Sequence, residues 1–193
     1  MTRPLRKDAA DRRTALLHAA TQVFAEEGID APLERIAERA GVGRATLYRN
    51  FPGRTEIAVA VLMEDIHDLG RRFAAPTEPT AFLDFVVALS GHLRDNAALG
   101  GVVRASPSAE ILTPLRAAMM QAATPALKVS QAAGVVRDDL TPADMRVISA
   151  MLGAGLQLAN GAERNVIAGR TLELTLDALR SGARNPVSAG TRP

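Results

Sequence analysis

Four arginines, Arg39, Arg44, Arg49 and Arg54, lie in a stretch from Arg39 to Thr55 that contains no acidic residue. A guanidinium does not exchange protons near neutrality. It offers planar, permanently charged donors that match a phosphate or the edge of a guanine. Thr46 and Tyr48 stand among these arginines and add hydroxyl groups. The chemistry of such a set is the binding of a polyanion, with base edges within reach, rather than bond making.

Catalytic constellations are poor by comparison. There is no G-x-S-x-G elbow, no H-E-x-x-H and no glycine-rich phosphate loop. The histidines His18, His67 and His92 fall on three different expected helices. Glu64 and His67, spaced i, i+3, would share a helix face, but such a pair is more often a solvated face than a ligand set. No metal site, no cofactor and no enzymatic activity are expected.

Two short helical patterns position the arginines. Leu33, Ile36, Ala37 and Ala40 recur at i, i+3, i+4 and i+7, one face of a 3.6-residue helix. Gly41 supplies the left-handed position that ends it, and Val42 plugs the bend. In the second pattern Leu47 and Phe51 face inward, which leaves Arg44, Ala45, Thr46, Tyr48 and Arg49 facing out. A slim helix with that outer face suits a DNA major groove, so the stretch reads as a helix-turn-helix.

The run Ile36-Ala-Glu-Arg-Ala-Gly-Val-Gly-Arg-Ala-Thr-Leu-Tyr-Arg-Asn-Phe51, followed by Pro52-Gly-Arg-Thr-Glu-Ile57, resembles the DNA-binding signature of the tetracycline-repressor (TetR) family. Leu47-Tyr48, Phe51 and the preceding Ala-Gly-Val carry the likeness, which is close over residues 12 to 62. The resemblance implies that Arg44, Ala45, Thr46, Tyr48, Arg49 and Asn50 face DNA, that Arg54 grips a phosphate and that Leu47 is core. Three departures stand out. Ala31-Pro32 replaces a frequent capping threonine, Gly43 replaces a frequent serine, and Asn50 stands where His or Tyr is usual.

Charge and composition agree with a DNA-reading end. Net charge is only +2, but residues 1 to 13 hold five cations against two acids, whereas residues 57 to 193 hold 13 of each sign. The positive excess therefore sits where counterion release from phosphates would use it. An apolar fraction of 47% in 193 residues is enough for a core, and neither a membrane span nor a secretory leader is expected. The absence of cysteine fits a reducing cytoplasm, the expected location.

The remaining chain reads as helices only, giving an all-α fold. Residues 1 to 8 are expected as a flexible arm, and residues 11 to 27 as a helix. The DNA-binding unit, with its arm, is taken as residues 1 to 53, and an effector-binding and dimerisation bundle as residues 54 to 181. Within the bundle a long helix is expected over 54 to 74 and another over 80 to 98. Gly100-Gly101 and Pro107 bracket a short segment with no helical pattern assigned. Thr113-Pro114 would open a helix to residue 133, kinked or split at Pro125. Thr141-Pro-Ala-Asp144 would cap a helix to residue 160, and a last helix covers 165 to 181. The tail, 182 to 193, has little to bury and is expected to be disordered.

Phe82, Phe85, Leu89, Met119 and Met120 read either as core or as the lining of an adaptable apolar cavity. The resemblance implies such a cavity among the fourth to seventh helices. Ile66, His67 and Ala123 would border it, and His92, Asn96 and Arg116 would orient a ligand, an unidentified apolar or amphipathic small molecule. Met151, Leu152 and Leu156, with Gly153 and Gly155 amid them, give a broad apolar face. Two glycines inside a helix, at about 1 kcal/mol each, point to close helix–helix approach. Together with Leu172, Leu176 and Leu179 they would form a four-helix interface in a homodimer.

The sequence thus points to a ligand-responsive transcriptional repressor that binds a pseudo-palindromic, double-stranded DNA operator as a homodimer. The rival readings are a ligand-independent architectural DNA binder and a helical-bundle enzyme.

Overall fold

The computed structural model describes residues 3–105, 109–156 and 161–182. Among them the chain is all-α: α1 Arg3–Glu27, α2 Leu33–Arg39, α3 Arg44–Asn50, α4 Arg54–Arg72, α5 Ala81–Asp95, α6 Ala97–Ala105, α7 Ala109–Ala132, α8 Met145–Gly155 and α9 Gly161–Leu179. Extended pairing among the described residues is limited to one antiparallel bridge, Val136 with Arg180. The expected disordered tail, from residue 183 on, lies outside the described residues.

The chain divides into two compact units, Met1–Asp65 with Ala98–Leu115, and Ile66–Ala97 with Arg116–Pro193. Helix α4 gives its first twelve residues, Arg54–Asp65, to the first unit and the rest to the second.

The first unit is built on α1, which packs on α2 as α2 packs on α3. Leu16, Ala20, Val23 and Phe24 of α1 are buried with Ile36, Ala37, Leu47 and Phe51, and Ile57, Ala58 and Val61 of α4 close the same core. Gly28 (φ 87°) and Gly41 (φ 66°) take the left-handed backbone that ends α1 and α2, a conformation L side chains resist. Leu99 and Val103 of α6 also belong to this core.

Several boundaries differ from the sequence expectation. Helical backbone starts at Arg3, so residues 3 to 8 are not an arm. Pro4 lies in the first turn, where its missing N–H costs nothing, and no breaker separates it from Asp11. Of the segment between Gly100-Gly101 and Pro107, the part up to Ala105 belongs to helix α6, held by Leu99 and Val103, and the rest lies outside the described residues. Helix α7 starts at Ala109, so Thr113-Pro114 is interior to it, and the helix continues through Pro125. An interior proline costs about 3 kcal/mol. Nearly complete burial of Ala123, Ala126 and Leu127 around it offsets a comparable amount.

In the second unit Phe82, Phe85, Val86 and Leu89 of α5 are buried, and α5 packs on α8 and α9. Phe73 meets Phe85 edge-on, ring centroids 5.4 Å apart. No side chain of the preceding loop caps α5. Instead the Phe82 amide donates to the fully buried Ser130 hydroxyl of α7 at 2.9 Å, so a partner helix satisfies one of the first-turn N–H groups. Gln131 then organises the following loop by donating to the carbonyls of Arg137, Asp138 and Leu140. The Thr141/Asp144 capping box forms as expected, on a single 3-10 turn that leads into α8.

Candidate nucleic-acid interface

Helix α3 exists as a separate seven-residue helix because Leu47 and Phe51 are almost wholly buried beneath it. Isolated helices this short are not stable in water, so packing rather than propensity holds it. Its other face is open. Arg44, Ala45, Tyr48 and Arg49 are exposed, and Thr46 and Asn50 are half-buried. Gly43 occupies the N-cap with extended backbone and no side-chain bond.

The polar side chains of this face are not equivalent. Arg44 donates to the Glu34 carboxylate of α2, and the Tyr48 hydroxyl donates to the same oxygen, Oε1, at 2.9 Å. The Arg44 bond, aided by the Tyr48 bond, holds the Glu34 carboxyl down to about 2, well below its ordinary 4.5. The same contact raises the Tyr48 phenol. Asn50 donates to the Thr46 carbonyl at 2.8 Å, which fixes its amide along the helix. Arg49 makes no hydrogen bond or ion pair among the described residues.

Neighbouring arginines are also engaged. Arg39 pairs with Glu26 at 2.7 Å, and Arg35 with Glu27 and Glu38 at 3.3 and 2.9 Å. The Arg13 guanidinium lies 4.5 Å over the Phe51 ring. Arg54, expected to grip a phosphate, turns its guanidinium onto the carbonyls of Ile29 and Ala31 and stacks 5.8 Å over Phe24. Those carbonyls end the α1–α2 turn, so Arg54 ties the start of α4 to it. Glu34 is the residue that sequence reasoning missed. Its partners are 10 and 14 residues away, and no local pattern links them.

A family model described as bacterial regulatory proteins, tetR family, matches residues 16–61. A solved TetR transcriptional regulator from Streptomyces coelicolor is 31% identical, with 89% of this chain and 99% of that one covered and a TM-score of 0.57. The chain belongs to the TetR family. A TetR transcription regulatory protein from Mycobacterium vanbaalenii is similar in fold, with 27% identity, 92% and 99% covered, and a TM-score of 0.61. Among curated proteins, the HTH-type transcriptional regulator TtgW of Pseudomonas putida is 39% identical over 70 residues, 36% of this chain and 52% of that one. SrpR, another HTH-type regulator of Pseudomonas putida, matches over the same length at 39%, but over only 33% of its own chain. The chain thus spans about half or less of these curated relatives.

The effector residues expected of this TetR-family chain are scattered. A groove of about 480 Å³, open to solvent, runs between α4 and α7 and is bordered by Ile66 and His67. Gly70, Arg71 and Ala74 of α4, and Ala118, Gln121, Ala122 and Pro125 of α7, complete it. None of these seven was expected from sequence to border a cavity, although the four on α7 follow the i, i+3, i+4, i+7 spacing of one helix face. Phe82, Phe85, Leu89 and Ala123 are core, with no more than 2% of their surface exposed. Their apolar character reflects packing, and they do not line the groove. Met119, His92 and Asn96 are half-buried, and Met120 and Arg116 are exposed; these five lie outside the groove lining.

The helices expected to dimerise pack on each other within the protomer. A Cβ added at Gly155 would lie 2.5 Å from the Thr171 hydroxyl oxygen, so this glycine serves the approach of α8 to its own α9. Leu152, Gly153, Gly155, Leu156 and Leu179 are buried in the protomer and have almost no surface left for a partner. Leu172 and Leu176 are half-buried. Of the expected set Met151 faces outward, at 42% exposed, beside Val147 on α8. Val166 and Leu174 do the same on α9. No helix among the described residues is long and apolar enough to cross a membrane.

Proposed function

We propose that this DNA-binding transcriptional regulator of the TetR family acts as a homodimeric repressor that a small molecule releases from its operator. The observation that carries the reading is α3, whose Arg, Thr and Tyr face stands open while Leu47 and Phe51 anchor it from below. In this reading residues 1 to 53 bind DNA and residues 54 to 181 bind effector and dimerise. Two copies present α3 about one turn of DNA apart, roughly 34 to 36 Å, to a pseudo-palindromic site. Arg44, Ala45, Thr46, Tyr48, Arg49 and Asn50 face the groove.

The homodimer forms through the outward faces of α8 and α9, with Val147, Met151 and Leu174 among the contacts. The effector is an apolar or amphipathic molecule seated between α4 and α7, against Ile66 and His67. Only Phe51, Pro52 and Gly53 separate α3 from α4, and Arg54 fastens α4 to the α1–α2 turn. A shift of α4 therefore moves the reading helix, provided the ligand binds the shifted state more tightly than the DNA-bound one.

Selection of bound sequences from a random duplex pool tests the reading. A pseudo-palindrome is expected, with Arg44→Ala and Arg49→Ala folded but weakened on it. A bidentate arginine–guanine contact is worth about 1 to 3 kcal/mol of discrimination. Recovery of no preferred sequence would favour an architectural binder instead.

A further inference from the structure

The two arginines on the open face of α3 differ in one respect. Arg49 is free among the described residues, whereas Arg44 and Tyr48 both donate to one oxygen of Glu34. The Glu34 side chain is 28% exposed and that of Arg44 71%, so the carboxylate sits beneath its donors and the guanidinium still faces out. We propose that Glu34 is a specificity-determining residue, holding Arg44 and Tyr48 back from the DNA backbone until a matching base sequence engages them. The inference rests on the placement of α3 in the major groove.

A duplex without a guanine at the matching position offers Arg44 only phosphate. Exchanging one anion for another gains little, and it leaves Glu34 unpaired beside a polyanion. A guanine edge offers something different. Its O6 and N7 accept two parallel hydrogen bonds, and a guanidinium with five donors can make them from one edge while another N–H stays on Glu34. Tyr48 is constrained in the same way. With its hydroxyl hydrogen given to Glu34, the oxygen remains as an acceptor, which suits the amino group of cytosine or adenine and not a phosphate. Arg49 is left to grip phosphate without regard to sequence. A permanent anion in a DNA-reading surface is thereby explained: it penalises the wrong sequences more than the right one.

The test compares the full chain, Glu34→Gln and Glu34→Asp on the selected duplex and on a random duplex across a salt series, with thermal melts to confirm folding. Glu34→Gln is expected to bind the random duplex about fivefold more tightly, the upper range of an exposed ion pair. Its log K against log salt slope on that duplex should steepen by about 0.9, one more phosphate contact. Affinity for the selected duplex should change little, so the selectivity ratio falls, and Glu34→Asp should restore part of it. On an Arg44→Ala, Tyr48→Phe background, which removes both donors, Glu34→Gln should have no effect on the ratio. Equal changes on both duplexes, or an effect that survives removal of both the Arg44 and the Tyr48 donors, overturn the inference. If Arg44→Ala itself binds every duplex like the wild type, the placement of α3 fails and the inference with it. If Arg44→Ala is weak and Glu34→Gln keeps the wild-type ratio, the inference alone fails.

Discussion

The α2–α3 pair and the α8–α9 pair both present a surface, and they do so by opposite means. On α3 the apolar anchors Leu47 and Phe51 point in and the charged and phenolic groups of Arg44, Tyr48 and Arg49 point out, so polarity sets the orientation of the helix. Helix α8 is apolar nearly all round: Met145, Ile148, Leu152 and Gly155 are buried, and Val147, Met151 and Ala154 are exposed. Polarity sets the first surface, and the geometry of a neighbouring helix sets the second. The first is a charged face whose groups are already partly bonded to each other. The second is an apolar face that nothing among the described residues covers.

The comparison breaks most visibly at the uncovered face. Val147→Asp combined with Leu174→Asp places charges where the proposed dimer would bury them, at a cost of about 3 to 5 kcal/mol for a buried uncompensated charge. Sedimentation should show monomer, operator binding should collapse, and the thermal melt at high dilution should match the wild type. A dimer that persists would move the interface elsewhere.

The inner side of the same helix should respond in the opposite sense. Gly155→Leu drives a side chain into Thr171 of α9, and overpacking of this kind typically costs 1 to 3 kcal/mol. For a chain of this size, about 2 to 4 °C of melting temperature is lost per kcal/mol. The loss belongs to the protomer, so it should appear at any protein concentration. A melt that falls at high concentration but matches the wild type at high dilution would return Gly155 to the dimer contact.

The smallest expected effect lies on the charged surface. The folded state lowers the Glu34 carboxyl from 4.5 to about 2, chiefly through the Arg44 bond. A carboxyl lowered in this way favours folding above about pH 4.5, and that contribution fades as pH falls towards 2. Carboxyl carbon shifts followed by NMR should show Glu34 titrating well below 4.5, and Arg44→Ala should move its midpoint up towards 4.5. No movement would mean that the contact does not form in solution.

The reading unit was legible in sequence because short-range rules govern it. The pairing of Ile36 with Ala37 on α2 and of Leu47 with Phe51 beneath α3, and the left-handed Gly41 between the two helices, each involve residues within a turn or two of one another. Such patterns fix which face of a short amphipathic helix is buried before any partner is known. What lay beyond them was pairing between distant residues. The acids that meet Arg35, Arg39 and Arg44 sit on α1 and α2, outside the acid-free stretch from Arg39 to Thr55. That stretch therefore looked more freely cationic than it is. Gly155 looked like an interface residue until Thr171 stood against it, and Phe82 and Phe85 looked like cavity lining until α7 and α9 enclosed them. The sequence by itself determined the helices, their turns and the outward face of α3, because hydrophobic period and backbone conformation are local. Only the tertiary structure decided which arginines remain unbonded and which apolar residues are left uncovered. Those outcomes depend on which side chains the packed helices bring within a few ångströms of each other, and no residue carries that information alone.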